Sequence, residues 1–230
     1  MDNKALGLLV RFALSAKCSS EINTQLLLDC IKTGNYTGVE TELKKFKFLY
    51  SYLRLISEVF VTSPFTYEVA RAYCFGDSRL TKFEHFHFLR LLQIYKEQGV
   101  KPQLIDRLRT NLLNKFVPHH DQKVLHADVI LVGLTGTEAT DAANKCLVRE
   151  GTVTDILNGF VTLTLRSVNH VGGTFKPKTL TEELLVARCF VSGIKVGDTV
   201  AVHGGYIIAI LTKEEKKKIE DALKLVLKSF

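Results

Sequence analysis

The feature that most constrains this fold is a change of hydrophobic period about two thirds of the way along the chain. Upstream, apolar residues recur at helical spacing, whereas from Cys146 onward they form short runs separated by turn residues. Helices bury a stripe with a period of 3.6 residues, and strands alternate with a period of 2. The sequence therefore predicts an α+β protein with an N-terminal α-helical domain over residues 1–140 and a β domain over residues 144–230.

The β domain is predicted to contain five short strands, over residues 146–156, 160–168, 183–191, 199–203 and 206–211. Asn158-Gly159 is a strong signal for a two-residue hairpin turn, and Gly172-Gly173 marks a loop. Thr212 can cap a final helix over 212–230, with Glu214 and Glu215 near its positive end. Strands of this length predict a small, OB-like β-barrel followed by a C-terminal helix.

The N-terminal domain is predicted to be a bundle of short helices. Helical spacing covers residues 4–15, 21–32, 37–48, 50–60, 65–75, 81–98 and 101–115, and residues 119–132 are also compatible with a helix. Small loops with Gly, Pro and Ser separate these segments, as expected for helices that pack against their neighbours.

Composition restricts the classes of protein. The net charge of +7 is spread along the chain and not gathered in a patch, so nucleic-acid binding is not favoured. No apolar run is long enough to span a bilayer, and the N-terminus does not resemble a signal peptide, so we expect a cytoplasmic protein. The five cysteines contain no Cys-x-x-Cys pair, which disfavours a zinc ribbon or a locally held iron–sulfur cluster, and their odd number and wide scatter disfavour a disulfide framework.

Two segments of the last third carry a resemblance. One is Cys146-Leu147-Val148-Arg149-Glu150-Gly151, and the other runs from Val196-Gly197-Asp198 through the strand ending in His203 to Gly204-Gly205-Tyr206. Their order and separation resemble the HypC/HupF family of hydrogenase maturation chaperones. The whole chain is also similar to an uncharacterised prokaryotic family that carries the same barrel behind a helical domain and that is associated with nickel–iron hydrogenase gene neighbourhoods.

The chaperone resemblance implies a non-enzymatic accessory role in nickel–iron hydrogenase maturation. It implies that Cys146 and His203 are metal ligands that hold an iron atom bearing cyanide and carbon monoxide. The implied partner is the hydrogenase large subunit or another maturation protein. The alternative is a protein-interaction scaffold without metal handling, in which Cys146 is a packed thiol and His203 only ends a strand.

A second group of histidines precedes the domain boundary. His119 and His126 are seven residues apart, so a helix would place them on one face, with His120 pointing elsewhere. They could form a second metal site, add ligands to Cys146 and His203, or serve a metalloenzyme. The simpler interpretation is that they are solvent-facing histidines near a helix N-terminus.

Overall fold

A computed structural model describes residues 2–16, 22–110, 115–126, 133–185 and 190–229. These residues contain ten α-helices, a short 3₁₀ helix at Ser78–Lys82 and five strands, which confirms the α+β class. No helix in these ranges is both long and apolar enough to cross a membrane. The helices are α1 (Asn3–Ala16), α2 (Thr24–Thr33), α3 (Val39–Lys44), α4 (Lys47–Phe60), α5 (Tyr67–Phe75), α6 (His85–Glu97), α7 (Pro102–Thr110), α8 (His120–Lys123), α9 (Gly136–Cys146) and α10 (Lys213–Leu227).

Local signals explain where several helices begin and end. Asn23 caps α2 by accepting from the N–H of Leu26, and Gly34 ends it in a left-handed conformation. The predicted cap of the last helix is confirmed, because Thr212 and Glu215 form a reciprocal capping box at the start of α10. The helix-compatible stretch over 119–132 is helical where it is described from His120 on: α8 ends at Lys123, a π-helical turn follows over 124–126, and residues 127–132 lie outside the described ranges.

The strands form one antiparallel sheet, and the predicted barrel is wrong. The strands are β1 (Arg149–Leu157), β2 (Phe160–Val171), β3 (Thr174–Leu185), β4 (Thr199–His203) and β5 (Tyr206–Ile210), in the spatial order β3-β2-β1-β4-β5. In the described part of the chain, β3 and β5 are therefore the two edges and do not pair. Helices α1, α9 and α10 pack against the strands, so the sheet buries its apolar residues without closing on itself.

Two hairpin turns set the register of the first three strands. Asn158 and Gly159 both have positive φ angles, of 50° and 85°, as the Asn-Gly signal predicts. Gly172 and Gly173 do the same with 61° and 78°, and they join β2 directly to β3. The predicted start of the third strand at 183 is therefore wrong, since β3 begins at Thr174 and ends at Leu185; residues 186–189 of the prediction lie outside the described ranges.

The period of two assigns the strand residues to two different cores. Val200 and Val202 belong to a small apolar cluster, together with residues of β1, β2 and β5, that packs with Val191 and Ile194. Ala201 lies between them in sequence and belongs to the larger cluster that runs from α1 to α10. His203 follows the parity of Ala201, so it too is directed toward the helices.

Candidate functional site

Four consecutive polar residues are buried between the helices and the sheet. His119, His120, Asp121 and Gln122 stand at the start of α8, and each is at most 5% exposed. Burying polar side chains without hydrogen bonds costs free energy, so their partners indicate what this segment does.

Asp121 and Gln122 attach α8 to distant parts of the chain. Asp121 Oδ1 accepts from the N–H of Val148, 2.9 Å away, just before β1. Gln122 Oε1 accepts from the N–H of Val117 at 2.6 Å, and its Nε2 donates to Ser229 Oγ, just beyond α10, at 2.9 Å. These bonds hold α8 against the beginning of the sheet and the end of the chain.

His120 and His203 meet in the centre of the same region. Their Nε2 atoms lie 3.2 Å apart, although the residues are separated by 83 positions in the sequence. His120 Nε2 also lies 2.9 Å from the carbonyl oxygen of Cys146, and its Nδ1 lies 3.1 Å from the Tyr73 hydroxyl. His203 Nδ1 lies 2.7 Å from Ser15 Oγ. We refer to these five residues, with Phe12, as the histidine cluster.

The partners of His120 determine which of its nitrogens carries hydrogen. A carbonyl oxygen can only accept, so Nε2 carries the hydrogen that faces Cys146. Nδ1 then has a lone pair and accepts from the hydroxyl of Tyr73. The single Nε2 hydrogen of His120 lies between two acceptors, the Cys146 carbonyl and the His203 ring.

The tautomer of His203 follows from that of His120. Because the His120 ring supplies the hydrogen between the two Nε2 atoms, His203 Nε2 holds a lone pair and Nδ1 carries the hydrogen. Nδ1 donates to Ser15 Oγ, whose hydroxyl donates onward to the carbonyl of Phe12 at 2.8 Å. The cluster is thus a continuous chain of hydrogen bonds between neutral groups.

Burial keeps both rings neutral. It lowers the pKa of His203 to about 3 and holds the pKa of His120 well below its usual value, with the neighbouring His203 as a further cause. The ring of Phe12 stacks on His203 at 4.2 Å between centroids and meets His120 edge-on at 4.6 Å. Aromatic walls exclude water and strengthen the hydrogen bonds inside.

Asp121 and His119 form a second buried pair beside the cluster. Burial raises the pKa of Asp121 to about 8 and lowers that of His119 to about 3. His119 Nδ1 accepts from the N–H of Asp121 at 3.1 Å and so caps α8 with its own side chain. A nitrogen used as a helix cap is not available as a metal ligand in this arrangement.

The predicted site residues occupy different surroundings. His203 is buried in the cluster, and the backbone carbonyl of Cys146 reaches the same place through His120. Cys146 was predicted to begin a strand. It is instead the last residue of α9, where its side chain is half-buried. The interpretation of His119 and His126 as solvent-facing is wrong, because both are buried. The His126 ring lies 6.4 Å from the ring of Phe88 between centroids.

Sequence reasoning missed four members of the cluster: Phe12, Ser15, Tyr73 and His120. Ser15 had a usable signal, since it is a polar residue in a helix that is apolar on every side. His120 had a weaker one, because three polar neighbours follow Val117-Pro118 without the apolar spacing of a surface helix. Nothing in the sequence pairs Tyr73 with this site.

The donor set fits a complete metal site poorly. In the described ranges, no group of three or more His, Cys, Asp or Glu residues is arranged to hold a metal ion. Of the two Nε2 atoms that meet in the cluster, that of His203 holds the lone pair.

Comparison with known proteins identifies a family without a function. Residues 18–230 match the model of a family described as a family of unknown function (DUF6390), and the chain belongs to this family. The match agrees with the resemblance to an uncharacterised family and adds no support to the resemblance to HypC/HupF chaperones. No curated protein and no solved structure matches the chain.

Proposed function

We propose that this member of an uncharacterised family is a non-enzymatic, cytoplasmic accessory protein of nickel–iron hydrogenase maturation. It would hold or deliver iron, or dock the hydrogenase large subunit or another maturation protein. The observation that carries the proposal is the convergence of His203, His120 and the peptide of Cys146 in one buried cluster. The two residues that the resemblance selects are thus linked through a third.

The hydrogen-bond chain is compatible with binding of an iron cargo. Iron at His203 Nε2 would displace only the contact with His120, whose N–H keeps the Cys146 carbonyl as its acceptor. No buried donor would lose its last partner, which is the usual penalty for opening such a network. A thiolate and an imidazole are suitable ligands for iron with strong-field partners.

The end of the β1–β2 hairpin supports a role in protein binding. Ile156, Leu157 and Phe160 are 40%, 64% and 50% exposed on either side of the Asn158-Gly159 turn. Apolar residues exposed together are typical of surfaces that contact another protein. Either candidate function requires such a surface.

The second candidate is a protein-interaction scaffold without metal handling. It is favoured by the complete hydrogen bonding of the cluster, since every ring nitrogen of His120 and His203 has a neighbour at 2.7–3.2 Å. In this case the histidines would only join the helices to the sheet.

Anaerobic purification separates the two candidates. The iron proposal predicts bound iron with infrared bands of cyanide and carbon monoxide, and loss of both in His203→Gln and Cys146→Ala. Cys30→Ala, which removes a thiol from α2, is the control and should keep the iron.

The same variants are then tested for hydrogenase maturation. If the wild-type protein carries no iron and all three variants support maturation equally, metal handling is excluded. Binding of the large subunit by iron-free protein would then favour the scaffold, and absence of both iron and binding would contradict the proposed function altogether.

A further inference from the structure

A cavity of about 440 Å³ lies along the N-terminal part of α1. Lys4, Leu8 and Arg11 line it at spacings of four and three residues, which place them on one face of the helix. Ser15, four residues further along the same face, belongs to the histidine cluster. The lining also includes Phe190 and Ile210, so the cavity combines apolar side chains with the cations of α1.

Arg11 is half-buried and has no counter-ion among the residues that the structure describes. Its Nη1 donates to the carbonyl of Phe190 at 3.4 Å, and its buried Nε has no hydrogen-bond partner in these ranges. Burial lowers the pKa of the guanidinium, and no carboxylate offsets this effect. A desolvated cation without an anion is costly, and it indicates a site where an external anion can bind.

The other charged residues of the cavity leave one positive charge in excess. Lys4 lies 3.9 Å above the ring of Tyr67 and forms no ion pair in the described part of the chain. Glu215 is engaged: it accepts from the Tyr67 hydroxyl at 2.8 Å and caps α10 through Thr212. Two cations and one engaged carboxylate match a ligand with a single negative charge.

We infer that this cavity binds a carboxylate attached to an apolar group. The planar guanidinium of Arg11 binds the carboxylate, with Lys4 as the second cation, and the apolar group packs against Leu8 and Phe190. A fork of N–H donors matches the two oxygens of a carboxylate. The volume is in the range of small-ligand sites, which are mostly apolar with a few polar groups that orient the ligand.

A phosphate is a poorer match for the same site. Phosphate sites in proteins commonly collect several backbone N–H groups at a helix N-terminus or a glycine-rich loop. The start of α10 borders this cavity, but Thr212 and Glu215 already cap that helix reciprocally, and no glycine-rich loop lines the cavity in the described part of the chain. The carboxylate can come from a free small acid or from the C-terminal residue of a polypeptide, and both have the same chemistry.

Titration calorimetry on the full chain tests the inference. The probes are 3-phenylpropionate and a tetrapeptide ending in phenylalanine with a free carboxylate, each compared with its neutral amide. We expect the acids to bind at least about tenfold more tightly than the amides, since charge-assisted hydrogen bonds are lost in the amides. Tighter binding of the peptide acid identifies a polypeptide C-terminus as the source, and tighter binding of phenylpropionate identifies a free acid.

Arg11→Gln should abolish the preference for the acid, whereas Lys217→Gln, which removes an exposed charge from α10 outside this cavity, should retain it. Equal binding of acid and amide overturns the inference, as does an unchanged preference in Arg11→Gln. Tighter binding of inorganic phosphate, or no binding of either acid at millimolar concentration, also overturns it.

Discussion

One face of α1 lines two sites that differ in how their polar groups are satisfied. At its C-terminal end, Ser15 completes a chain of neutral hydrogen bonds through His203 and His120. Four residues earlier, Arg11 keeps a charge without a carboxylate among the described residues. A satisfied network stabilises the fold in its present form, whereas an unpaired cation is poised for a ligand. The comparison teaches that burial alone does not distinguish a structural site from a binding site; the hydrogen-bond partners do.

The largest expected effect comes from breaking the histidine cluster. His120→Ala should lower the free energy of unfolding by about 3 kcal/mol, because it opens a cavity and removes the hydrogen bond between His120 and the Tyr73 hydroxyl. Urea denaturation measures the change. His85→Ala, at an exposed histidine of α6, is the control and should stay within about 0.5 kcal/mol. A loss below 1 kcal/mol in His120→Ala would show that the cluster is not a stabilising network.

The pH dependence of stability provides a second test of the histidine cluster. The pKa of His203 is lowered to about 3 in the folded state, so below about pH 6.5 the unfolded chain binds a proton that the folded chain does not. This contribution to stability is complete above pH 6.5 and is lost as the pH falls toward 3. His119 and His120 act in the same direction, since burial also lowers their pKa values.

Asp121 acts in the opposite direction. Its pKa is raised to about 8, so its contribution is complete below about pH 4 and is lost as the pH rises through 8. The three histidines together bind more protons in the unfolded chain than Asp121 binds in the folded chain. The urea concentration at the unfolding midpoint should therefore decrease as the pH is lowered from 6.5 to 5. His203→Gln should reduce the slope of the free energy of unfolding against pH by about 1.4 kcal/mol per pH unit, the value for one proton. An unchanged slope in the variant would mean that His203 is already protonated in the folded protein.

The smallest expected effect belongs to the other end of α1. Without ligand, Arg11→Met should leave the protein as stable as the wild type or raise the free energy of unfolding by up to about 1 kcal/mol, since it removes an unpaired, partly buried charge while keeping an apolar stem. Thermal unfolding without added carboxylate measures it. A clear loss of stability would indicate that Arg11 has a structural partner, and the contrast between the two sites would disappear.

Several elements followed directly from local sequence. Asn158-Gly159 predicted a hairpin turn because few residue pairs tolerate two positive φ angles, and Thr212 with Glu215 predicted the start of α10. Other predictions failed for reasons of context. Helix α9 was not among the predicted helices, because its residues are too poor in large apolar side chains to show a period; Ala139 and Ala143 are nevertheless buried where α9 packs against β2. Barrel closure failed because helices cover the sheet, which strand patterns do not report.

The sequence by itself determined the α+β class, the switch from helical to strand periodicity, the turns and the side of β4 on which His203 lies. These properties depend on residues that are close in the chain, where backbone geometry restricts the choices. Only the tertiary structure decided that the sheet stays open, that His120 meets His203 across 83 positions, and that Arg11 faces a cavity without a carboxylate among the described residues. Such contacts depend on how distant elements pack, and the identity of a residue does not specify which distant partner it will meet.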